Sequence, residues 1–231
     1  MCQFKSGIIL KNKIVIAQGA DDSHSNLLDE LNIEDNTENA MRRFVRAELV
    51  PPNNEWWTDP DTWIVHIDQD ITPEWFDIDR ERYEADFREA VKDWCKVHIM
   101  VDKMINELSS GYYMLRRCEV KKLLNDVKVL LDNSTVTEMR GNSTVTKMWG
   151  NSTVTKMWDN STVTEMWDNS TVTEMLDNST VTKMLGNSTV TEMLGNSIAR
   201  DYNAGVIRIS PNCKLDIIKG AHDENIHDSN K

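Results

Sequence analysis

Cys2 is the residue best placed for covalent chemistry. A methionine before a small residue is removable, and its loss would leave a cysteine with a free amine beside its thiol. Such a cysteine attacks a carbonyl with its own amine as base. The competing reading is an ordinary first-strand cysteine. A second set is His66-x-Asp68-x-Asp70. On an extended segment, alternate residues share a side, so one imidazole and two carboxylates could face one metal ion. Asp22 and His24 could join them. Against this stands a strand end that simply runs into an acidic turn. His222, Asp223, Glu224 and His227 near the C-terminus offer only adventitious metal binding in a polar tail, residues 220–231, which is expected to be disordered. A phosphate-binding glycine loop and a Ser/His/Asp spacing are both missing from the sequence. No cofactor is therefore expected.

Aromatic residues suggest binding rather than catalysis. Trp56, Trp57 and Trp63 lie in an acidic, proline-bearing loop that starts at Pro51. Exposed, they form a recognition surface. Folded back, the same rings plug a small core. Trp149, Trp158 and Trp167 belong to a different pattern, and that pattern sets the architecture.

From Asn133 to Gly195 the chain is a tandem array of nonapeptides, N-S-T-V-T-(E/K)-M-(R/W/L)-(G/D), which start at Asn133, Asn142, Asn151, Asn160, Asn169, Asn178 and Asn187. A decayed copy starts at Asn196, with Ala199 and Tyr202 in the valine and methionine places. Val120/Leu123 and Val127/Leu130 show the same three-apart apolar pair before the array. Thr-Val-Thr disfavours helix. It reads as a short strand with serine and valine on one side and both threonines on the other. Gly-Asn or Asp-Asn then supplies a turn that tolerates left-handed backbone. One copy buries almost nothing alone, so stacking must create the core. Nine residues give about two short sides, and two copies close a coil of about 18 residues. Position six supports this closure. At spacing eighteen, Glu138/Lys156, Lys147/Glu165, Glu165/Lys183 and Lys156/Glu174 are opposite in sign, and only Glu174/Glu192 is not. The array predicts a parallel β-solenoid over residues 112–219 with Val and Met inside and an asparagine ladder at the turns. Position eight is either corner packing, aromatic on aromatic and Leu on Leu, or an exposed ridge for a partner. Val206–Ile209 and Leu215–Ile218, around a Ser-Pro-Asn turn, are expected to cap the last coil.

Residues 1–111 read as a separate α+β domain with a four-stranded sheet and a long helix. Ile8–Leu10 and Ile14–Ile16 form a hairpin, and Arg43–Val50 and Thr62–Gln69 two more strands. A short helix is expected near Leu27–Leu31, and Thr72-Pro73-Glu74 opens another with Thr72 as cap. From Asp79 to Leu108, Phe87, Val91, Trp94, His98, Val101, Ile105 and Leu108 recur in steps of four and three. This predicts one long helix, 79–108, whose seam packs on the sheet or on a second copy. His98 in that seam reads as a packing residue.

Charge and cysteine usage bound the function. The chain has 231 residues and a net charge of −12. Residues 1–130 carry −8 of it and the array, residues 131–201, carries −4. Such a balance argues against nucleic acid and anionic membrane partners and favours a basic protein partner. Cys2, Cys95, Cys118 and Cys213 are scattered without a metal-ligand or disulfide spacing. No signal-peptide core is visible at the start. The expected location is cytoplasmic, with free thiols and unglycosylated Asn-Ser-Thr sites.

The opening MCQF superficially resembles glutamine-dependent amidotransferases and related N-terminal-nucleophile hydrolases. Their four-layer sandwich needs more strands than this domain can supply. More of the chain is covered by a second likeness. The MCQFKS start, Asp22-Ser23-His24 with Leu27-Leu28, Phe44 to Leu49, and Asp70 to Trp75, joined to a tandem N-(S/A)-T-V array, resemble uncharacterised proteins of bacteriophages and their hosts. That resemblance implies a phage or mobile-element accessory protein and carries no catalytic residue. The expected function is non-enzymatic binding or scaffolding, with an inhibitor or nucleic-acid-mimic role as one form. The alternatives are a hydrolase using Cys2 and a self-stacking rod. A homo-oligomer through helix 79–108 or the solenoid edge is a further expectation.

Overall fold

The computed structural model describes residues 4–202 and 206–218. Two compact units divide at Ile99/Met100. The N-terminal unit runs β1 (Lys5–Leu10), β2 (Lys13–Ile16), α1 (His24–Glu30), α2 (Thr37–Arg42), β3 (Phe44–Val50), β4 (Ile64–Ile67), α3 (Glu74–Ile78) and α4 (Arg80–His98). The strands form an antiparallel sheet in the order β2-β1-β3-β4. Ile8 and Phe44 on one face pack with Leu27, Leu28, Ile33 and Ala40 of the α1–α2 segment. The other face takes α4, whose Phe87, Val91 and Trp94 are buried. Gly7 permits this contact, because an added Cβ would meet the Phe87 ring at 2.7 Å and the Val15 carbonyl oxygen at 2.8 Å. Ser23 caps α1 by accepting the Asn26 N–H. Thr72 does not cap α3, since its hydroxyl donates to the Asp77 carboxylate at 2.7 Å instead.

The expected helix over 79–108 is corrected. It ends at His98, and Ile99–Val101 is a strand, β5, followed by β6 (Met104–Leu108). Val101, Ile105 and Leu108 continue the helical spacing by coincidence. Ile105 and Leu108 are aligned with Val120/Leu123, which in turn align with Val136/Met139. They are thus an early copy of the apolar pair that the nonapeptide repeats. A pair three apart satisfies a helix stripe and a solenoid coil equally. Phe87, Val91 and Trp94 of the seam are buried, and His98 is half-buried.

The second unit continues with β7 (Tyr112–Arg116), β8 (Glu119–Leu123), β9 (Lys128–Asp132), β10 (Thr135–Met139), β11 (Thr144–Trp149), β12 (Thr153–Met157), β13 (Thr162–Met166), β14 (Thr171–Met175), β15 (Thr180–Met184), β16 (Thr189–Met193), β17 (Ile198–Asp201), β18 (Val206–Ile209) and β19 (Lys214–Ile217). Alternate strands join two parallel sheets, one from β6 to β18 and one from β5 to β19. This is a parallel β-solenoid of about seven coils, roughly 17 residues apart. Within the array the coil is 18 residues, as Thr135 against Thr153 and Thr144 against Thr162 show. The solenoid is longer than the array because degenerate coils flank it on both sides.

Every repeat valine and methionine, from Val136 and Met139 to Val190 and Met193, is 0% exposed. A serine row from Ser134 to Ser197 is buried beside them. The turn residues Gly141, Gly150, Asp159, Asp168, Asp177, Gly186 and Gly195 all have positive φ, between 54° and 69°. Aspartate tolerates that backbone and also adds a bond: Asp159 and Asp168 accept the N–H of Gly141 and Gly150 on the neighbouring coil, each at 2.9 Å. Asparagine amides link coil to coil at Asn169–Asn151, Asn187–Asn169 and Asn196–Asn178.

Two register expectations change. Val129 and Leu131, not Val127 and Leu130, face Val145 and Met148, because the β9/β11 pairing shifts by one residue. A similar shift puts Asp201, rather than Tyr202, opposite Met184. At the C-terminal end, β18 and β19 lie over the last repeat strands. They add in parallel to β16 and β17 as one more coil.

Candidate functional site

The tryptophans divide into core and corner. Trp56 and Trp63 are buried and Trp57 is half-buried. The Trp63 indole N–H donates to Thr58 Oγ1 at 2.8 Å, and Phe4 meets its ring edge-on. The loop therefore folds back on the sheet unit, leaving Trp57 as the ring with appreciable exposure. Trp149, Trp158 and Trp167 are half-buried at the solenoid corners. Alternate copies belong to different sheets, so position eight makes two edges instead of one ridge. Trp158 lies under the Arg140 guanidinium, 5.6 Å from its ring centroid, while Lys147 and Lys183 approach Trp149 and Trp167 at 5.8 and 5.7 Å. The rings are thus covered in part by cations rather than by other aromatics.

Each solenoid face combines paired threonine columns with a column of charge. Lys147–Glu165 and Lys156–Glu174 form ion pairs at 3.7 and 3.0 Å. Among the described position-six pairs, the like-charged one is Glu174 opposite Glu192.

A polar cluster sits on the sheet of the N-terminal unit. His24 of α1, Glu48 of β3 and Asp68 just after β4 bring one ligand atom each within 4.8 Å of one another. His24 and Glu48 are buried, and Asp68 is exposed. His24 Nε2 is 3.2 Å from the Ala47 carbonyl oxygen, and its Nδ1 is 3.3 Å from Asp68 Oδ2. The structure therefore brings together two of the five residues proposed from sequence. His66 lies on β4 directly opposite Glu48. Asp70 lies beyond the cluster, beside Ile71, Asp35 and Arg46. Asp22 is engaged elsewhere, 2.7 Å from the buried Lys5 ammonium.

Lys5 also lies 4.0 Å over the Trp94 ring and donates to the Gly19 carbonyl. Burial pulls its pKa down and pushes that of Asp22 up, although each partner opposes the shift. Glu48 was missed by the sequence reading. Its signal was present: a carboxylate flanked by Ala47 and Leu49 in a strand with both faces covered.

Cys95 and Cys118 are buried free thiols. Burial pushes Cys95 up to about 12 and raises Cys118 as well, which makes both poor nucleophiles. Cys2 and the tail histidines lie outside the described residues. Among the described residues, no helix is long and apolar enough to cross a membrane.

Comparison of the chain with protein-family models, with curated proteins and with solved structures finds no match.

Proposed function

We propose that the protein is a non-enzymatic binding scaffold, a phage or mobile-element accessory protein whose solenoid presents two faces to a protein partner. The observation that carries this reading is where the repeats differ from one another. The inward serine, valine and methionine positions are invariant across the seven copies. Differences fall at position six, on the faces, and at positions eight and nine, at the corners and turns. A solenoid with an invariant core and threonine columns, and variation confined to positions six, eight and nine on its outside, suits recognition along its length. The net −8 of residues 1–130 favours a basic partner and a salt-sensitive association rate.

Capture from host lysate with three baits tests the reading: wild type, Trp149→Ser/Trp167→Ser, and Cys2→Ala. The expected result is a partner held by wild type and Cys2→Ala and lost by the tryptophan variant, whose circular dichroism is unchanged. A hydrolytic activity that disappears in Cys2→Ala would overturn the scaffold reading. Sedimentation against concentration separates it from a self-stacking rod, which grows as protein is added.

A further inference from the structure

β2 forms one edge of the described N-terminal sheet, with β1 as its neighbour. The register decides which of its backbone groups face outward. Ala17 N–H donates to the Ser6 carbonyl at 3.1 Å, and Ser6/Ala17 continues the register of Ile8/Val15 and Leu10/Lys13. In an antiparallel pair such bonded positions alternate with non-bonded ones. Ile14 and Ile16 are the non-bonded positions, so their N–H and C=O groups point away from β1. The outward row already holds one amide. The Ile16 carbonyl accepts a side-chain N–H of the exposed Gln18 at 2.9 Å. That amide stands where the N–H of an added strand would donate. The sequence of β2 is Lys-Ile-Val-Ile, a proline-free apolar edge of the kind that serves as a pairing template.

A second observation concerns the space beside this edge, which is hollow on both faces. On the α1 side, a groove of about 610 Å³ runs between β2 and α1. Val15 and Leu27 supply its apolar part, Asp21 and Glu30 are exposed carboxylates on it, and Lys13 stands at the hairpin end. On the α4 side, a hollow of about 310 Å³ lies between Ile14 and Tyr83. Successive residues of a strand point to opposite faces, so a segment laid along β2 would send alternate side chains into the two hollows. Main-chain bonds to the edge then give affinity, and the alternating hollows give specificity.

We propose that β2 takes an extended, basic segment of a partner protein as a fifth strand of the sheet. Charge selects the occupant. Asp21 and Glu30 face the groove, and residues 1–130 carry a net −8. A second copy of this acidic chain would approach against that charge, whereas a segment bearing lysine or arginine approaches with it. The segment displaces the Gln18 amide from the Ile16 carbonyl and adds bonds to the Ile14 and Ile16 N–H groups. The inference shares with the scaffold reading only that the partner is a protein, because the groove lies wholly within the N-terminal unit.

The test selects from a displayed library of random octapeptides with the full chain as bait, then measures the enriched peptides, fluorescein-labelled, by anisotropy. The expected peptides carry lysine or arginine among alternating apolar residues. Ile14→Pro removes one outward N–H at an edge position where proline spares the β1 ladder. It should weaken binding about ten-fold or more, while Ile14→Ala, which keeps that N–H, should bind more tightly than the proline variant. Asp21→Asn/Glu30→Gln, at exposed positions, should weaken binding and flatten its salt dependence. In wild type, amide exchange at Ile14 and Ile16 should slow when peptide binds, and exchange at Val15, already bonded to β1, should not. Enrichment of no peptide, or of acidic ones, overturns the proposal. So does binding that Ile14→Pro leaves unchanged, or protection that leaves out Ile14 and Ile16. A concentration-dependent dimer abolished by Ile14→Pro also overturns it, by giving the edge to a second copy. Trp149→Ser/Trp167→Ser should bind the peptides as wild type does, so the fate of this site and that of the scaffold reading are told apart.

Discussion

Met166→Ala probes whether stacking creates the solenoid core. Met166 is 0% exposed and lies between Met148 and Met184 in the neighbouring coils, both also 0% exposed. The substitution deletes three side-chain heavy atoms. At about 0.8 kcal/mol per buried methylene the transfer part alone is about 2.4 kcal/mol, and the cavity left behind adds to it. The flanking side chains are flexible methionines that can lean into the space. The total should therefore stay near the low end of the known range for such truncations, about 2–3 kcal/mol. Urea unfolding followed by circular dichroism measures it. Hydrogen exchange should show the loss concentrated in β11, β13 and β15, because each coil touches only its neighbours. Thr164→Ala on the outward side of the same strand is the control and should change stability by about 0.5 kcal/mol or less. Equal effects at Met166 and Thr164 would refute the inward–outward assignment.

Three further outcomes follow from particular contacts. Ser161 Oγ is buried and has no partner among the described residues, so Ser161→Ala should be neutral or stabilising in urea, in contrast to Met166→Ala. Lys156→Glu would set a glutamate between Glu138 and Glu174, and should cost about 0.5–1 kcal/mol at low salt and less at high salt. Burial lowers the Lys5 pKa in the folded chain, so between that value and the ordinary 10.5 the unfolded chain binds more protons. Stability from this group must then rise with pH across that window, and wild type should show a steeper rise there than Lys5→Met.

Much of this architecture could be read from the residues. Val136/Met139 and their copies define the interior, and the position-six charges, opposite in four of five pairs at spacing eighteen and in four of six at spacing nine, favour only slightly the eighteen-residue coil that the strand pairing shows. The errors share one cause: an apolar pair three apart does not distinguish a helix face from a coil. Ile105 and Leu108 were therefore assigned to a helix that stops at His98. One-residue shifts at Leu130 and Asp201 carry no local signature, because they depend on what the neighbouring coil offers. The polar cluster was half visible. His24 and Asp68 were suspected, but Glu48 belongs to a strand that reads as ordinary core, and only the three-dimensional arrangement joins α1 to β3 and β4.

Because two nonapeptides make one coil, the number of copies has a parity. Loss of 18 residues such as Asn169–Gly186 shortens the solenoid by one step, about 4.8 Å, and leaves every later strand in its own sheet. It would also seat Glu192 against Lys156 and remove the Glu174/Glu192 clash. Loss of nine residues such as Asn160–Asp168 instead sends every later strand to the opposite sheet and sets Lys183 against Lys156. Tandem repeats in a gene gain and lose units by slippage, and the unit of slippage is one copy. In this protein a single slip is a half-turn that exchanges the two faces downstream, and a double slip only changes the length.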